Sequence, residues 1–281
     1  MPSLPLNLPR VAVSIVVYNS ALPLLQRTLE SLERSVEHAV DCGLGGVDVT
    51  IVDNGSPEAY RRALAALCDA FMQRDEFRLT LSSLPVNLGF GAGHNRALSQ
   101  ATGEYYLVLN PDVEVAADAL AIGCLRLRDS GDVALISPHA VGADGRQEFL
   151  CKRRPSVLVL LLRAFFPKSG RRLFPAKMAA YEMSDVCGSD QEVAVPLASG
   201  CFMLARSAQL REIGGFDERY FLYFEDFDLS LRMGRLGQVM YMPQLHIVHH
   251  GGYAAHKGWR HLQLFARSGL RFFRQHGWRW V

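Results

Sequence analysis

The stretch VAVSIVVYNSALPLLQRTLESLERSVEHAVDCGLGGVDVTIVDNGSP, residues 11–57, decides the fold. Residues 11–18 are a short β-branched, apolar run, the pattern of a buried strand. Leu25, Leu29 and Leu32 then recur at helical spacing across residues 22–36. Residues 47–52 repeat the strand pattern and run into Asp53-Asn54-Gly55-Ser56-Pro57, a cluster of turn formers. Strand, helix and strand in that order imply a parallel pair joined by a right-handed crossover.

Working outward, the alternation continues with an alanine-rich helix at 58–72, a strand at 77–84, a helix at 92–101 and a strand at 105–109. The fold class is therefore α/β, Rossmann-like, with a mainly parallel central sheet flanked by helices. Beyond residue 116 the pattern loosens. It predicts a helix near 117–130, a strand near 133–137, strand character over 193–206, a helix at 229–236 and a last strand at 239–242. No internal repeat or low-complexity linker interrupts the chain.

With 281 residues, 49% hydrophobic and 21% charged, the chain can bury a sizeable core. Its net charge of +2 offsets nearly every basic residue with an acid, which argues against a nucleic-acid partner. Six cysteines without a C-x-x-C pair disfavour a zinc site or a disulfide framework, and a reducing cytosol is expected. The proline-rich start, MPSLPLNLPR, is a poor signal peptide, and no apolar run approaches the roughly 20 residues of a spanning helix.

In an open parallel sheet ligands collect at the carboxyl ends of the strands, where Asp53 and Asp112 both fall. Either could simply stabilise a turn. In Asn110-Pro111-Asp112, however, the proline fixes its own φ and presents the Asp112 carboxylate with little ordering entropy left to lose, which suits a ligand for Mg²⁺ or Mn²⁺. The run NLGFGAGHN, residues 87–95, carries Gly89, Gly91 and Gly93 and reads either as a loop that approaches a ligand closely or as a flexible loop. A dinucleotide-binding site would put its glycines after the first strand, where Asn19-Ser20-Ala21 stands instead.

Glu225, Asp226 and Asp228 precede a helical pattern, where acids complement the helix dipole. Phe221, Tyr223, Phe224 and Phe227 around them would also desolvate a carboxylate and raise its pKa, as a general base requires. His249, in a His-His-Gly-Gly run, is a structural residue or a further metal ligand.

Taken in order, VSIVVYNS, IVDNGS, NLGFGAGHN, LNPDV, ASGCFMLAR, GGFDERYFLYFEDFDLSLR and VHHGG resemble inverting glycosyltransferases of family 2, in particular the rhamnosyltransferase-like branch, from about residue 11 to 252. The resemblance implies a GT-A domain over 1–255, with a nucleotide-binding half at about 11–115, an acceptor half at about 116–255, and a basic, aromatic tail at 256–281. It implies a nucleotide-sugar donor, a glycan acceptor that is lipid-linked in this branch, and a divalent cation. By position, Asp226 would be the catalytic base, supported by Glu225, which could instead touch the acceptor. Tyr18, Asn19, Asp53, Asn87, Gly89, Gly91, Asn95 and Asn110 would meet the nucleotide sugar, and Asp112 and His249 the metal. The family's D-x-D motif stands here as Asn110-Pro111-Asp112, so its first position brings an amide in place of a carboxylate. The branch favours dTDP-L-rhamnose, with a UDP-sugar donor as the alternative. A sugar-nucleotide-binding protein without turnover is the rival from another class, and the presence of both Asp112 and Asp226 argues against it. A nucleotidyltransferase would need a basic, glycine-rich loop after the first strand, which is missing. Lys152, Arg153, Arg154, Lys168, Arg171 and Arg172 flank the apolar run 157–166, a layout suited either to an anionic inner membrane surface or to a buried helix with solvated ends.

Overall fold

A computed structural model describes residues 9–281 apart from 72–73, 167–168, 170–171 and 252–257. The opening stretch folds as read: β1 (Val11–Val17), α1 (Leu22–Asp41) and β2 (Val47–Asp53), with β1 and β2 parallel and in register from Val11–Val47 to Val17–Asp53. Period-two alternation assigns the faces of β1. Val11, Val13, Ile15 and Val17 join Leu25, Leu29 and Leu32 of α1 in one core, while Ala12 and Val16 point into the opposite core. Burial on both faces explains why the strand is apolar throughout except for Ser14, whose hydroxyl lies 2.6 Å from His94 Nδ1.

Next come α2 (Glu58–Asp69), β3 (Phe77–Ser83), α3 (Phe90–Leu98), β4 (Tyr105–Leu109), β5 (Val113–Val115) and α4 (Ala119–Asp129). After them lie β6 (Val133–Gly142), β7 (Gln147–Glu148), α5 (Val157–Phe165), α6 (Pro175–Glu182), β8 (Val193–Ala194) and β9 (Phe202–Arg206). The chain closes with α7 (Ser207–Glu212), α8 (Glu225–Met233), β10 (Gln238–His249) and α9 (Trp259–His276). The sheet order is β3-β2-β1-β4-β9-β6-β10-β5, with β7 beside β6 and β8 beside β10. The first four strands are mutually parallel, β9 runs antiparallel to β4 and β6, and β6 and β10 are again parallel. Helices α1 and α4 cover one face, and α3 and α8 the other.

The second half departs from its sequence reading in four places. The strand expected over 193–206 is split into β8 and β9 by the 195–201 segment, which lines the cleft. The helix expected at 229–236 starts four residues earlier, at Glu225, because a left-handed cap at Phe224 (φ 67°) ends the preceding loop. The last strand runs on to His249, past a register shift between Met242 and His246. The segment expected as a tail is largely α9, whose Phe272 and Phe273 are buried against Leu160, Tyr220 and Phe224.

Three residues of the basic cluster hold partners within the fold. Arg153 holds Asp185 through two 2.9 Å bonds, Arg154 donates to the His276 carbonyl, and Lys152 donates to the Phe149 carbonyl. Arg172 is exposed, and Lys168, Arg171 and Gly252 lie outside the described residues. Among the described residues no helix is long and apolar enough to cross a membrane.

Candidate active site

The parallel strands β1, β2 and β4 deliver their carboxyl ends to one cleft of about 510 Å³. Tyr18 follows β1, Asn54 follows β2, and Asn110, Pro111 and Asp112 follow β4. Asn87 and Gly89 come from the loop before α3. Ser199, Gly200 and Cys201 enter from the β8–β9 segment, and Tyr223, Glu225 and Asp226 from the start of α8.

Asp53 is fully buried at the end of β2, where its Oδ1 accepts the Ser56 N–H at 3.1 Å. Its Oδ2 is buried without a hydrogen-bond partner. Beside it, Asn54 donates to the Gly89 carbonyl at 2.8 Å and accepts the Leu88 N–H at 2.9 Å, which pins the 87–89 loop to β2. Gly55 (φ 78°) permits the close approach, since a Cβ there would lie 2.4 Å from Val86. Asn19 adopts φ 50° and donates its N–H to Ser56 Oγ, so it braces the rim and does not line the cleft.

The glycine run divides in two. Gly89 (φ 97°) is the N-cap of α3 and faces the cleft, whereas Gly91 and Gly93 are helical and buried. A Cβ on Gly91 would meet Phe216 at 2.7 Å, and one on Gly93 would meet Val16 at 2.7 Å, so both serve helix packing. Asn95 also turns away from the cleft. It donates to the Phe216 carbonyl and Glu218 and accepts the Phe216 N–H, stapling α3 to the 214–218 loop.

Asp112 and His249 meet because β5 runs antiparallel to β10, pairing Val113 with His249, and because His250 donates its N–H to the Asp112 carbonyl. His249 Nε2 lies 3.8 Å from Asp112 Oδ1, beyond hydrogen-bond reach, and that oxygen is buried with no partner. The other ring nitrogen, Nδ1, is 2.7 Å from Glu148 Oε2. A carboxylate on the far nitrogen fixes the ring and aims Nε2 toward Asp112, the arrangement that commonly orients a metal-ligating histidine. An unpartnered carboxylate oxygen facing an oriented imidazole fits a divalent cation. Among the described residues no group of three or more His, Cys, Asp or Glu side chains is arranged to hold one by itself.

The acids of α8 take three distinct positions. Asp228 is fully buried and accepts from Arg232, Gln275 and His276 at 2.8 Å each, so it ties α9 to α8. Glu225 is buried with Oε2 unpartnered, and burial, then the neighbouring Asp226, pushes its carboxyl well above the usual range. Asp226 opens onto the cleft. Its oxygens accept the N–H groups of Gly200 at 3.1 Å and Phe227 at 2.8 Å, and desolvation raises its pKa to about 6 despite those bonds. Tyr223 (φ 72°) and Phe224 (φ 67°) hold this pair from a left-handed turn that non-glycine residues rarely adopt. Phe224 packs between Phe265 and Phe272 of α9, and the Tyr223 hydroxyl lies 3.0 Å from His261 Nδ1.

The structure thus brings Tyr18, Asn87, Gly89, Asn110, Asp112, Glu225 and Asp226 to one cleft and sets Asp53 and His249 behind it. Sequence reading assigned no role to Asn54 or Glu148, and gave Lys152 only a place in the basic cluster around residues 157–166. Asn54 sat inside a recognised turn cluster, and Lys152 inside a basic run read as surface. Nothing in the sequence linked Glu148 to His249, 101 residues away.

The chain matches the sequence profile described as Glycosyl transferase family 2 over residues 12–186, more than half its length. It is 29% identical over 262 residues to the N-acetylglucosaminyl-diphospho-decaprenol L-rhamnosyltransferase of Mycobacterium tuberculosis, covering 86% of this chain and 76% of that one. It is 28% identical over 172 residues to the rhamnosyltransferase WbbL of Escherichia coli K12, covering 58% and 61%. Among solved structures, GalNAc-T7 with UDP, GalNAc and Mn²⁺ superposes with a TM-score of 0.66 at 14% identity, over 96% of this chain and 48% of that one. The Pyrobaculum calidifontis mannosyltransferase PcManGT, in complex with GDP-Man and Mn²⁺, superposes with a TM-score of 0.63 at 21% identity, over 96% and 66%. The chain therefore spans about half of the first of these structures and just under two thirds of the second. Those two likenesses show the GT-A fold, and the profile, together with the cleft at the carboxyl ends of β1, β2 and β4, shows that this protein belongs to glycosyl transferase family 2.

Proposed function

We propose that the protein transfers L-rhamnose from dTDP-L-rhamnose to a hydroxyl of a lipid-linked glycan in cell-surface polysaccharide assembly, with inversion at the anomeric carbon. The observation that carries this reading is Asp226, a desolvated carboxylate held by two backbone amides and opening onto the cleft that Asp112 also lines. Its raised pKa, about 6, leaves it ionised at neutral pH yet basic enough to accept a proton. Asp226 takes the acceptor hydroxyl proton, the oxygen attacks the anomeric carbon, and the nucleoside diphosphate leaves from the opposite face. Beside Asp226, burial and the Asp226 charge push the Glu225 carboxyl well above the usual range, which disfavours a second negative charge next to the base. Asp53 receives the nucleoside on its unpartnered oxygen, while Tyr18, Asn87, Gly89 and Asn110 line the donor's path, with Asn19, Gly91 and Asn95 acting through the loops they brace.

Asp112 and His249 would hold a divalent cation, Mg²⁺ or Mn²⁺, which supplies charge to stabilise the departing diphosphate when bound. The relatives' names support the sugar and the lipid-linked acceptor. We place the enzyme at the cytoplasmic face of the membrane, attached peripherally through α9 and the residues after it, where Trp259, Trp278 and Trp280 are exposed and α9 also exposes Arg260, Arg267 and Arg274.

A binding screen of dTDP-, UDP- and GDP-sugars, followed by NMR assignment of the product anomer, tests the reading. Selective dTDP-L-rhamnose binding and an inverted product are expected. Preference for a UDP-sugar would replace the donor, and binding without any transfer would leave only a sugar-nucleotide-binding protein.

A further inference from the structure

The catalytic cleft does not end at Asp226. A second cavity of about 390 Å³ shares Ser199, Tyr223, Glu225 and Asp226 with it and is walled by Lys152, Arg163 and Tyr181. That cavity meets, through Leu160 and Phe265, a third space of about 430 Å³ between α5 and α9. Apart from Gln263 and two indole N–H groups, this third space is lined by hydrocarbon, including Val157, Leu161, Leu262 and Phe273. Leu161 is 48% exposed, Leu270 41% and Trp278 45%, so an open apolar channel begins where the polar cavity stops.

Lys152 marks the junction. Its ammonium donates to the Phe149 carbonyl and, among the described residues, has no carboxylate within ion-pair distance. Burial, followed by the nearby Arg163 cation, draws its pKa down to about 8, so most of the population is still charged at neutral pH. Arg163 is itself occupied, paired with Glu182 at 3.1 Å and lying over the Tyr181 ring. A desolvated, unpaired cation facing a cavity favours an anion.

We propose that this track is the acceptor site: Lys152 receives the phosphate of a lipid-linked acceptor, and the groove between α5 and α9 receives its hydrocarbon chain. The inference rests on the acceptor class proposed above and assigns that class to residues. Base, cation and apolar groove follow one another along the track as hydroxyl, phosphate and chain follow one another along a sugar-phosphate-lipid. Continuity with the catalytic cleft and the unpaired Lys152 charge favour this occupant over a second copy of the chain, which would need no cation at the junction.

Binding can be read without turnover, using tryptophan fluorescence at Trp278 and Trp259 or calorimetry on the full chain. The probes are a C20 prenyl diphosphate below its micellar concentration, the C20 alcohol and a C5 prenyl diphosphate. The C20 diphosphate should bind at least ten-fold tighter than either control. Lys152→Met should abolish the preference for diphosphate over alcohol, and Lys152→Arg should retain it. Ala266→Trp, at an exposed position on the groove wall, should abolish the preference for C20 over C5. Equal affinity for all three probes overturns the proposal, as does a Lys152→Met variant that weakens alcohol and diphosphate alike. A dimer in sedimentation velocity that Ala266→Trp dissociates would also overturn it, by giving the groove to a second copy. Transfer to a sugar-bearing lipid is assayed separately: selective C20 diphosphate binding without transfer refutes the proposed reaction, not the track.

Discussion

At the residue scale, two adjacent acids with different surroundings separate two roles. Asp226 is ionised above about pH 6, whereas burial, then the neighbouring Asp226, pushes the Glu225 carboxyl beside it well above the usual range. Turnover should therefore fall as pH drops through about 6, and Asp226→Asn should lower kcat by roughly 10²-fold or more with little change in donor affinity. A near-normal kcat in that variant removes Asp226 as the base. The same residues give a stability prediction of defined sign. A carboxyl whose pKa is raised on folding binds its proton more tightly in the folded state, so its penalty is absent below the unfolded value of about 4.3 and grows as pH rises. Glu225→Gln should thus raise Tm more at pH 8 than at pH 5, and a pH-independent change would mean that burial alone sets the effect. At the opposite wall, Glu148→Gln loosens the His249 ring without touching a ligand. Mn²⁺ affinity, measured by calorimetry, should drop about 10–100-fold. An unchanged affinity would leave the Glu148 bond structural and the His249 assignment without its main support.

At the element scale, α3 was legible as a helix from residue 92, while the glycine-spaced run 87–95 around its start also read as a loop near a ligand. The helix in fact begins at Phe90 and takes in Gly91 and Gly93, although glycine disfavours helix by about 1 kcal/mol relative to alanine. Only the packed structure shows that Phe216 and Val16 leave no room for a Cβ there. Two opposed terms set the sign for Gly93→Ala: helix propensity gains about 1 kcal/mol, and forcing a Cβ to 2.7 Å from a buried valine on β1 costs about 1–3 kcal/mol. Net destabilisation is expected in chemical denaturation, and a stabilised variant would mean that α3 shifts freely on the sheet. Strands β1 and β4 were readable because burial on both faces writes a mainly apolar run in each, and β3 because its buried and exposed residues alternate from Phe77 to Thr80. The start of α8 and the docking of α9 were not, because their signals are a left-handed Tyr223-Phe224 turn and contacts between residues more than forty positions apart. Asp53, Asp112 and Asp226 stood out as acids at strand ends or among aromatics, while the braces Asn54 and Glu148 gave no local signal.

At the scale of the whole molecule, α9 is both a brace and a face. One side buries Phe272 and Phe273 and bonds Asp228, which ties the end of the chain to the strained turn that presents Asp226. The other side exposes Arg260, Arg267 and Arg274, with Trp259 before them and Trp278 and Trp280 after. The net charge of +2 is too small to draw the entire molecule to an anionic surface, so the peripheral attachment we propose rests on this local cluster. Arg153 and Arg154 are committed to internal partners and should contribute little. Each exposed arginine near an anionic surface is worth about 1 kcal/mol, so changing the three together to glutamine should weaken binding to anionic vesicles on the order of 100-fold. Sedimentation with vesicles of anionic and of neutral lipid separates the terms. Binding should require anionic lipid and weaken as salt rises, because the Debye length shrinks from about 10 Å at 0.1 M to about 3 Å at 1 M. The pair Arg153→Gln with Arg154→Gln should bind vesicles as the parent does but unfold at lower temperature, since each loses a partner within the fold. Equal binding to neutral vesicles would hand the contact to the three tryptophans, and no binding at low salt would restrict α9 to its role beneath Asp226.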